Sequence, residues 1–324
     1  MKRRFICARR WSAADIVASN LNGNAMEKRI ALSIGRRQLL GGVVCGIFTG
    51  FEALAYSFEP DLPKRGAQGV FPSGYNLTLK RKFDRATDCY TQGLWYELDS
   101  TTNRGVLYES GGRYGRSVLR KVDAQTGKVL QKLNLGAQYF AEGLALVNDR
   151  VYLLTWRERV CWAYDKKTFE QVDEFRYSGE GWGLAFDGKS LAMSDGSSRI
   201  RFLDPETFRQ TKSIGVHYVD STGSRRPVLY LNELEFVNRE IWANVYQREY
   251  AVRIDPESGL VLGSALNFSN LVPKKFKSSS EYVLNGLAYD SANRELYVTG
   301  KCWPVVYVFS VEPKRENGES TSDV

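Results

Sequence analysis

The fold is decided by Gln92-Gly93-Leu94 and by four later stretches that repeat its pattern, a Gly-Leu or Glu-Leu pair before a β-rich run. The later stretches are Glu142-Gly143-Leu144, Trp182-Gly183-Leu184, Asn232-Glu233-Leu234 and Asn285-Gly286-Leu287. Successive copies are 50, 40, 50 and 53 residues apart, which is the period of a four-stranded propeller blade. The sequence therefore predicts an all-β fold, a five-bladed β-propeller.

A turn marker keeps the same rhythm in four of the repeats. Asp and Pro start tight turns and Gly accepts a positive φ, so each marker predicts the hairpin between the two outer strands of a blade. The markers are Asp123-x-x-Thr126-Gly127, Asp165-x-x-Thr168-Phe169, Asp204-Pro205-x-Thr207-Phe208 and Asp255-Pro256-x-Ser258-Gly259. The fifth repeat lacks the marker, because the chain turns polar after Val305–Ser310. The last blade therefore has only three strands of its own.

The missing strand is predicted at residues 75–81, where apolar and polar side chains alternate just before the first repeat. We expect this strand to join the last blade and close the ring, which also removes an exposed sheet edge. The propeller domain is then 75–312. Residues 56–74, rich in Pro, Gly and charge, are predicted to be a linker, and residues 313–324 a disordered tail.

The N-terminal segment, residues 1–55, reads as a signal peptide. Arg36-Arg37 stands just before thirteen mostly apolar residues, Leu39–Phe51, and Ala53-Leu54-Ala55 supplies a cleavage signature. The paired arginines favour twin-arginine export, with an ordinary secretion signal as the alternative. We therefore expect an exported protein, periplasmic or extracellular after signal removal. Met26 is an alternative start, and the sequence leaves that question open.

Charge and apolar runs argue against two classes of partner. The formal charge is +8, but residues 1–55 hold nine Lys or Arg against three acids, so the rest of the chain carries only +2. Without a basic stripe in the body, there is no electrostatic case for binding nucleic acid. A membrane span needs about 20 apolar residues, and four glycines interrupt the N-terminal run. No stable membrane span is expected in the mature chain.

Cysteine and histidine usage predicts no metal and no cofactor. The body of the chain holds only Cys89, Cys161 and Cys302, at spacings that match neither a disulfide framework nor a zinc site. His217 is the sole histidine and is interpreted as a loop residue, so a conventional Ser-His pairing is unavailable.

Chemistry is expected where the repeats differ from one another. The position before each repeated pair changes from copy to copy, and a purely structural repeat would favour one small residue there. These positions are Gln92, Glu142, Trp182, Asn232 and Asn285. Since the innermost strands of a propeller converge on its axis, we expect these side chains to form one ring near the channel mouth.

The next strand of each repeat adds Trp156, Asp195, Tyr246 and Lys301 to this mouth. The set predicts a pocket with aromatic walls, one acid and one ammonium. Each tryptophan alone is as well explained by core packing between blades, and Asp195-Gly196 is better explained as a turn. Glu233 and Glu235 stay ambiguous between binding a cation in the channel and pairing with an arginine.

These residues resemble the plant and bacterial family of glutaminyl-peptide cyclotransferases, five-bladed propellers unrelated to the zinc-dependent animal enzymes. The resemblance runs from Tyr90 to Tyr307 and rests on seven ordered motifs. They are Tyr90-Thr91-Gln92-Gly93-Leu94, Tyr139-Phe140-Ala141-Glu142-Gly143-Leu144, Leu154-Thr155-Trp156, Glu180-Gly181-Trp182-Gly183-Leu184, Leu231-Asn232-Glu233-Leu234-Glu235, Leu284-Asn285-Gly286-Leu287 and Val298-Thr299-Gly300-Lys301-Cys302-Trp303-Pro304.

The resemblance implies a reaction and a set of roles. The activity implied is closure of the N-terminal Gln of peptides or proteins to pyroglutamate, without a metal and with release of ammonia. Glu142 would be the central acid and base, with Gln92, Asn232 and Lys301 as the other catalytic groups. The expected substrate-binding residues are Tyr90, Phe140, Trp156, Trp182, Tyr246 and Asn285. Tyr90 and Tyr246 stand where the family usually has Phe and Trp, so a difference in substrate preference or in rate is expected.

Two other functions remain open at this stage. One is a propeller without catalysis that binds a peptide or protein on its channel face. The other is a calcium-dependent, lactonase-like hydrolase, in which Glu142, Asn232 and Asp195 would be oxygen ligands. Ammonia release tests the first alternative, and sensitivity to a chelator tests the second.

Overall fold

In a computed structural model of the chain, residues 74–277 and 279–314 are described, and all of them fall within one compact unit, Phe58–Val324. The predicted signal peptide, the linker up to residue 73 and the tail beyond Lys314 lie outside the described residues. The first described strand is β1 (Tyr75–Asp84), which belongs to the fifth four-stranded sheet along the chain.

The described residues form five four-stranded antiparallel sheets; four are built from strands in chain order, and the fifth takes one strand from the start of the described chain. The first sheet contains β2 (Tyr90–Asp99), β3 (Arg104–Gly112), β4 (Val118–Asp123) and β5 (Val129–Asn134). The second contains β6 (Ala141–Val147), β7 (Arg150–Thr155), β8 (Val160–Asp165) and β9 (Gln171–Arg176). The third contains β10 (Leu184–Phe186), β11 (Leu191–Ser194), β12 (Arg199–Leu203) and β13 (Gln210–Gly215).

A small hairpin, β14 (His217–Val219) with β15 (Arg225–Pro227), separates the third sheet from the fourth, so His217 lies in a strand and not in a plain loop. The fourth sheet contains β16 (Leu231–Val237), β17 (Glu240–Val245), β18 (Tyr250–Ile254) and β19 (Leu266–Asn267). Two short 3-10 helices follow, Ser269–Leu271 and Lys274–Phe276. The fifth sheet contains β20 (Leu284–Asp290), β21 (Glu295–Gly300), β22 (Val305–Pro313) and finally β1.

Each sheet is a propeller blade, and the prediction of five blades is confirmed. The four turn markers lie between the third and fourth strands of their blades. In the first of them the Thr126 N–H and hydroxyl both donate to Asp123 Oδ1, at 2.7 and 2.8 Å, and Gly127 has a φ of +72°. The marker forms because the aspartate side chain replaces a backbone acceptor within the turn.

The fourth strand of the last blade comes from the other end of the chain. β1 pairs antiparallel with β22 along its whole length, from Tyr75 opposite Pro313 to Asp84 opposite Val305. The Lys314 N–H extends this contact by donating to Gly74 O at 2.9 Å. β22 thus reaches one residue past the predicted domain end at 312.

Five clusters of buried apolar side chains form the core, and each cluster joins two neighbouring blades. One joins the fifth and first blades through Val306 and Val308 on one side and Leu94 and Leu107 on the other. The core is therefore spread around the axis between the blades. No helix in the described part of the chain is long and apolar enough to cross a membrane.

The repeated glycine allows backbones of neighbouring blades to touch near the axis. A Cβ on Gly183 would lie 2.0 Å from the backbone oxygen of Asn232, in the next blade. A Cβ on Gly143 would lie 2.5 Å from the backbone nitrogen of Leu184. No side chain can occupy these positions without moving a blade, which explains why the motif that sets the repeat contains glycine.

The fourth blade has Glu233 where the other blades have this glycine. Its side chain is 1% exposed, and Oε2 accepts the Leu287 N–H at 2.9 Å, with a further backbone bond from Leu94. Burial, reinforced by the nearby Glu235, raises the pKa of Glu233 well above its usual value. Glu233 therefore bonds to the inner strands of the fifth and first blades, through the backbone N–H groups of Leu287 and Leu94.

We predict that Gly183→Ala lowers the free energy of unfolding by at least about 1–3 kcal/mol, because the added methyl group forces two packed blades apart. Urea unfolding at constant protein concentration measures the difference. Gly215→Ala is the matched control, since a Cβ there meets no atom within 4 Å. Equal stability of the two variants would contradict the tight approach of the inner strands.

Candidate active site

The predicted site residues lie at one end of the propeller, at the starts of first strands and just after second strands. A repeated backbone bond fixes the second group: the Trp156 N–H donates to Phe140 O, the Tyr246 N–H to Tyr230 O and the Lys301 N–H to Val283 O, at 2.9, 2.8 and 2.9 Å. Each bond ties the end of a second strand to the residue before the first strand of the same blade. This geometry gathers the variable residues around one mouth.

The site has a polar floor and aromatic walls. The floor side chains are at most 5% exposed: Gln92, Glu142, Asn232, Asn285 and Lys301. The predicted ring residues are only partly buried: Tyr90, Phe140, Trp156, Trp182 and Tyr246. The predicted site residues thus all lie at this end of the propeller, with the polar side chains deeply buried and the rings nearer to the solvent.

Glu142 is the acid of the floor, and a chain of amides holds its neighbour in place. Gln92 Nε2 lies 3.3 Å from Glu142 Oε1 and donates to it. Asn285 Nδ2 donates to Gln92 Oε1 at 3.3 Å and to the backbone oxygen of Thr91 at 2.9 Å. Because its oxygen is already engaged, the Gln92 amide must turn its N–H groups towards Glu142.

The surroundings of Glu142 favour its neutral form. Burial is the main cause that raises the pKa of this carboxyl well above its usual value. The Lys301 ammonium opposes the shift, while the carboxylates of Glu180 and Glu158 add to it. A carboxyl in such a site exchanges a proton far more readily near neutral pH than an exposed glutamate does.

Lys301 sits between two tyrosine rings, with Nζ 4.7 Å from the centre of Tyr90 and 4.9 Å from the centre of Tyr246. Burial lowers the pKa of Lys301 to about 8, with Glu142 opposing the change and Arg113 adding to it. The two positions at which the family pattern changes thus both contact the ammonium. Their rings keep the cation–π contact that the site uses.

The aromatic walls are in contact with one another. Phe140 lies 6.5 Å from Tyr90 and 5.5 Å from Trp156, measured between ring centres, and Trp182 lies 5.8 Å from Tyr246. Tyr114, which the sequence analysis did not single out, adds an edge contact to Phe140 at 5.4 Å.

Glu180 joins the two pocket tryptophans, although the sequence analysis gave it no role. Its Oε2 accepts both indole N–H groups, from Trp156 at 2.7 Å and from Trp182 at 3.0 Å. Oε1 accepts from Arg157 Nε at 3.2 Å. In the sequence, the only signal for Glu180 was its position two residues before Trp182, in a motif quoted for that tryptophan.

Two floor residues, Asn232 and Asn285, each have a buried side-chain oxygen without a hydrogen-bond partner among the described residues. The Asn232 side chain is 2% exposed. Asp195 has a different role from the floor residues: its carboxylate accepts the Ser197 N–H at 3.1 Å and the Ser197 hydroxyl. With Gly196 at a φ of +79°, Asp195 forms the turn that the sequence favoured. Within the described ranges, no cluster of three or more His, Cys, Asp or Glu could hold a metal ion.

The fold and the site together define the class of protein: a five-bladed propeller with a buried acid, amides and an ammonium at one end. Comparison with known proteins defines the family. The model of the glutamine cyclotransferase family matches residues 54–311. The chain belongs to the glutamine cyclotransferase family.

Two relatives illustrate the relationship. The chain is 42% identical over 234 residues to a glutaminyl-peptide cyclotransferase of Arabidopsis thaliana, covering 71% of this chain and 70% of that protein. The crystal structure of a glutaminyl cyclase of Myxococcus xanthus is similar with a TM-score of 0.65 and 30% identity, covering 76% of this chain and 100% of that one.

A buried ion cluster lies next to the floor. Glu109 is 2% exposed, and its Oε1 accepts from Arg85 Nη1 and from the Thr91 hydroxyl, both at 2.6 Å, while Oε2 accepts from Arg120 Nε at 2.8 Å. Burial alone would raise the pKa of Glu109, but Arg120 and Arg85 outweigh it and lower the pKa to about 2. Because Thr91 precedes Gln92, this cluster fixes the strand that carries a floor residue.

We predict that Glu109→Gln lowers the free energy of unfolding at pH 7 by about 3–5 kcal/mol, because buried Arg85 loses its counter-ion and buried Arg120 keeps only the exposed Asp88. Urea unfolding measures it. Since the folded pKa is depressed, the contribution of Glu109 is present above the unfolded pKa of about 4.5 and fades as the pH falls towards about 2.

The control for this variant is Glu257→Gln, which breaks the pair with Lys212 at a glutamate whose side chain is 83% exposed. Its expected cost is below about 1 kcal/mol. If both variants had the same stability, the cluster would not be a support of the floor.

Proposed function

We propose that this chain is a glutaminyl-peptide cyclotransferase, which converts the N-terminal Gln of peptides or proteins to pyroglutamate and releases ammonia. The observation that carries the proposal is the buried carboxyl of Glu142, bonded to Gln92 and facing the charge of Lys301. Membership of the glutamine cyclotransferase family and the similarity to a glutaminyl-peptide cyclotransferase support it.

The reaction needs a single group that both accepts and donates a proton. The α-amine of the substrate attacks the carbon of its own γ-carboxamide, so a C–N bond forms and an oxyanion develops. Glu142 accepts the proton that the attacking nitrogen loses and passes it to the carboxamide nitrogen. The old C–N bond then breaks, ammonia leaves, and the carboxyl returns to its first state. A raised pKa suits this exchange, because a carboxyl that holds its proton more tightly than an exposed glutamate is a better base for the attacking amine.

The floor provides partners for the other polar atoms of the substrate. We assign the remaining Gln92 N–H and the Lys301 ammonium as donors to the developing oxyanion, each worth a factor of about 10² or more when preorganised. Asn232 is assigned an acceptor role, since its free buried atom is an oxygen. Oδ1 can accept an N–H of the substrate amine or carboxamide.

The walls select the reactive conformer. A five-membered ring forms only when the flexible glutamine side chain folds back on its own amine, which costs conformational freedom. Phe140, Trp156 and Trp182 form an apolar wall beside the acid and favour the compact conformer over extended ones. The open side of the mouth leaves room for the rest of the peptide to extend into solvent.

We also propose that the protein acts outside the cytoplasm, in the periplasm or extracellular space. The support is the Arg36-Arg37 pair before the apolar stretch Leu39–Phe51 and the small residues that follow it. Detection of the mature N-terminus after Ala55 in an exported fraction would test this location.

We predict that Glu142→Gln lowers kcat by about 10² to 10⁴-fold, because the amide cannot exchange the proton. The assay is ammonia release from a dipeptide that begins with Gln, repeated with a chelator. Asp195→Asn is the matched control and keeps activity, since Asp195 belongs to a turn. No ammonia from the folded unaltered protein would favour a binding propeller, and inhibition by the chelator would favour the calcium-dependent hydrolase.

We predict a bell-shaped dependence of kcat/KM on pH. The acid limb follows ionisation of Glu142 together with loss of the proton of the substrate α-amine, whose usual pKa is about 7.7–8.0, so its midpoint lies above the usual glutamate pKa of about 4.5. The alkaline limb follows loss of the Lys301 proton near pH 8, because the ammonium is present below its pKa of about 8 and absent above it. Lys301→Met should lower the maximum and remove the alkaline limb. An unchanged limb in that variant would assign it to another group.

A further inference from the structure

We propose that Glu180 is a positioning residue, which holds the indoles of Trp156 and Trp182 in one orientation around the N-terminal glutamine of the substrate. The proposal rests on the proposed function for its kinetic meaning. Its structural content, two indoles locked by one carboxylate, can be measured without turnover.

One carboxylate oxygen bridges the two indoles. A single oxygen of Glu180 accepts both indole N–H groups, at 2.7 and 3.0 Å, although the two rings come from different blades. Trp156 follows the second strand of the second blade, and Trp182 precedes the first strand of the third. Glu180 is therefore a bridge across a blade interface, at the height of the pocket walls.

The Glu180 carboxylate is itself held in place by Arg157. Its other oxygen accepts from Arg157 Nε at 3.2 Å, and the guanidinium of Arg157 stacks 3.8 Å above the ring of Trp156. Trp156 is thus fixed both at its N–H and across its face. Burial alone would raise the pKa of Glu180, but the bonds from Trp182, Trp156 and Arg157 lower it, so the acceptor stays ionised. A charged acceptor makes the stronger hydrogen bond.

The two indoles also contact other side chains of the pocket. Trp156 contacts Phe140, and Trp182 contacts Tyr246, whose ring in turn packs against the Lys301 ammonium. A rotation of either indole would change the wall on its own side of Glu142. Misplacement of a wall by about 1 Å costs up to about 10² in rate when a reactive conformer has to be held.

A second carboxylate in the chain has the same partners but lies outside the pocket. Glu174 accepts the Trp162 indole N–H at 3.3 Å on one oxygen and Arg176 at 2.9 Å on the other. Trp162 packs in the core between the first and second blades. Glu174 therefore separates the effect of a carboxylate–indole bond as such from the effect of its place at the mouth.

The experiment compares Glu180→Gln, Glu180→Leu and Glu174→Leu in the full chain, with ammonia release from a Gln-initiated dipeptide. Glu180→Leu should lower kcat/KM by about 10- to 100-fold, mainly through kcat, because the walls lose their orientation. Glu180→Gln should recover activity to within about three-fold of the unaltered protein, since an amide oxygen still accepts both indoles. Glu174→Leu should keep both constants unchanged.

The second measurement is the ¹H–¹⁵N spectrum of the indole N–H groups, assigned with Trp156→Phe and Trp182→Phe. Glu180→Leu should move both resonances and leave that of Trp162 in place, whereas Glu174→Leu should do the reverse. Unmoved Trp156 and Trp182 resonances would overturn the proposal, as would Glu180→Leu kinetics equal to those of the unaltered protein. A lack of ammonia release by the unaltered protein would instead refute the proposed function, and the spectrum would then decide the locking of the indoles alone.

Discussion

The contact of inner-strand backbones around the axis is the constraint on which the rest of the structure depends. Gly143 and Gly183 bring neighbouring blades so close that even a methyl group would clash with the next backbone. This approach puts the residue before each glycine, such as Glu142 or Trp182, at the mouth. Chemistry by Glu142 is possible because the blades leave it almost no solvent, and the same packing that forms the core also desolvates the acid.

The floor follows from how the blades satisfy their buried polar groups. Glu233 replaces one glycine and bonds to the backbones of two other blades, and Glu109 binds two arginines and the threonine next to Gln92. These bonds fix strands rather than substrate. The floor side chains can therefore keep free atoms for a ligand, as Asn232 Oδ1 and Asn285 Oδ1 do.

Much of this could be predicted from the sequence, because a propeller converts spacing into position. The five variable residues of the repeat fall on the same ring, so Glu142 and Gln92 could be brought together before any contact was known. Glu180 could not, because it lies outside the repeated positions and its role depends on two indoles from different blades. The orientation of an amide is equally hidden: only the bond from Asn285 shows which way Gln92 turns.

The pairing of β1 with β22 has a consequence for biosynthesis. The strand Tyr75–Asp84 is made before any blade, and its partner is among the last described parts of the chain to be made. During synthesis this strand has no sheet partner until four complete blades and β22 have been made. The contact that it then makes is among the most distant in sequence. β1 can therefore complete its sheet only after β22 has been made. Loss of β22 would leave β1 without its partner and β21 at the edge of the fifth sheet.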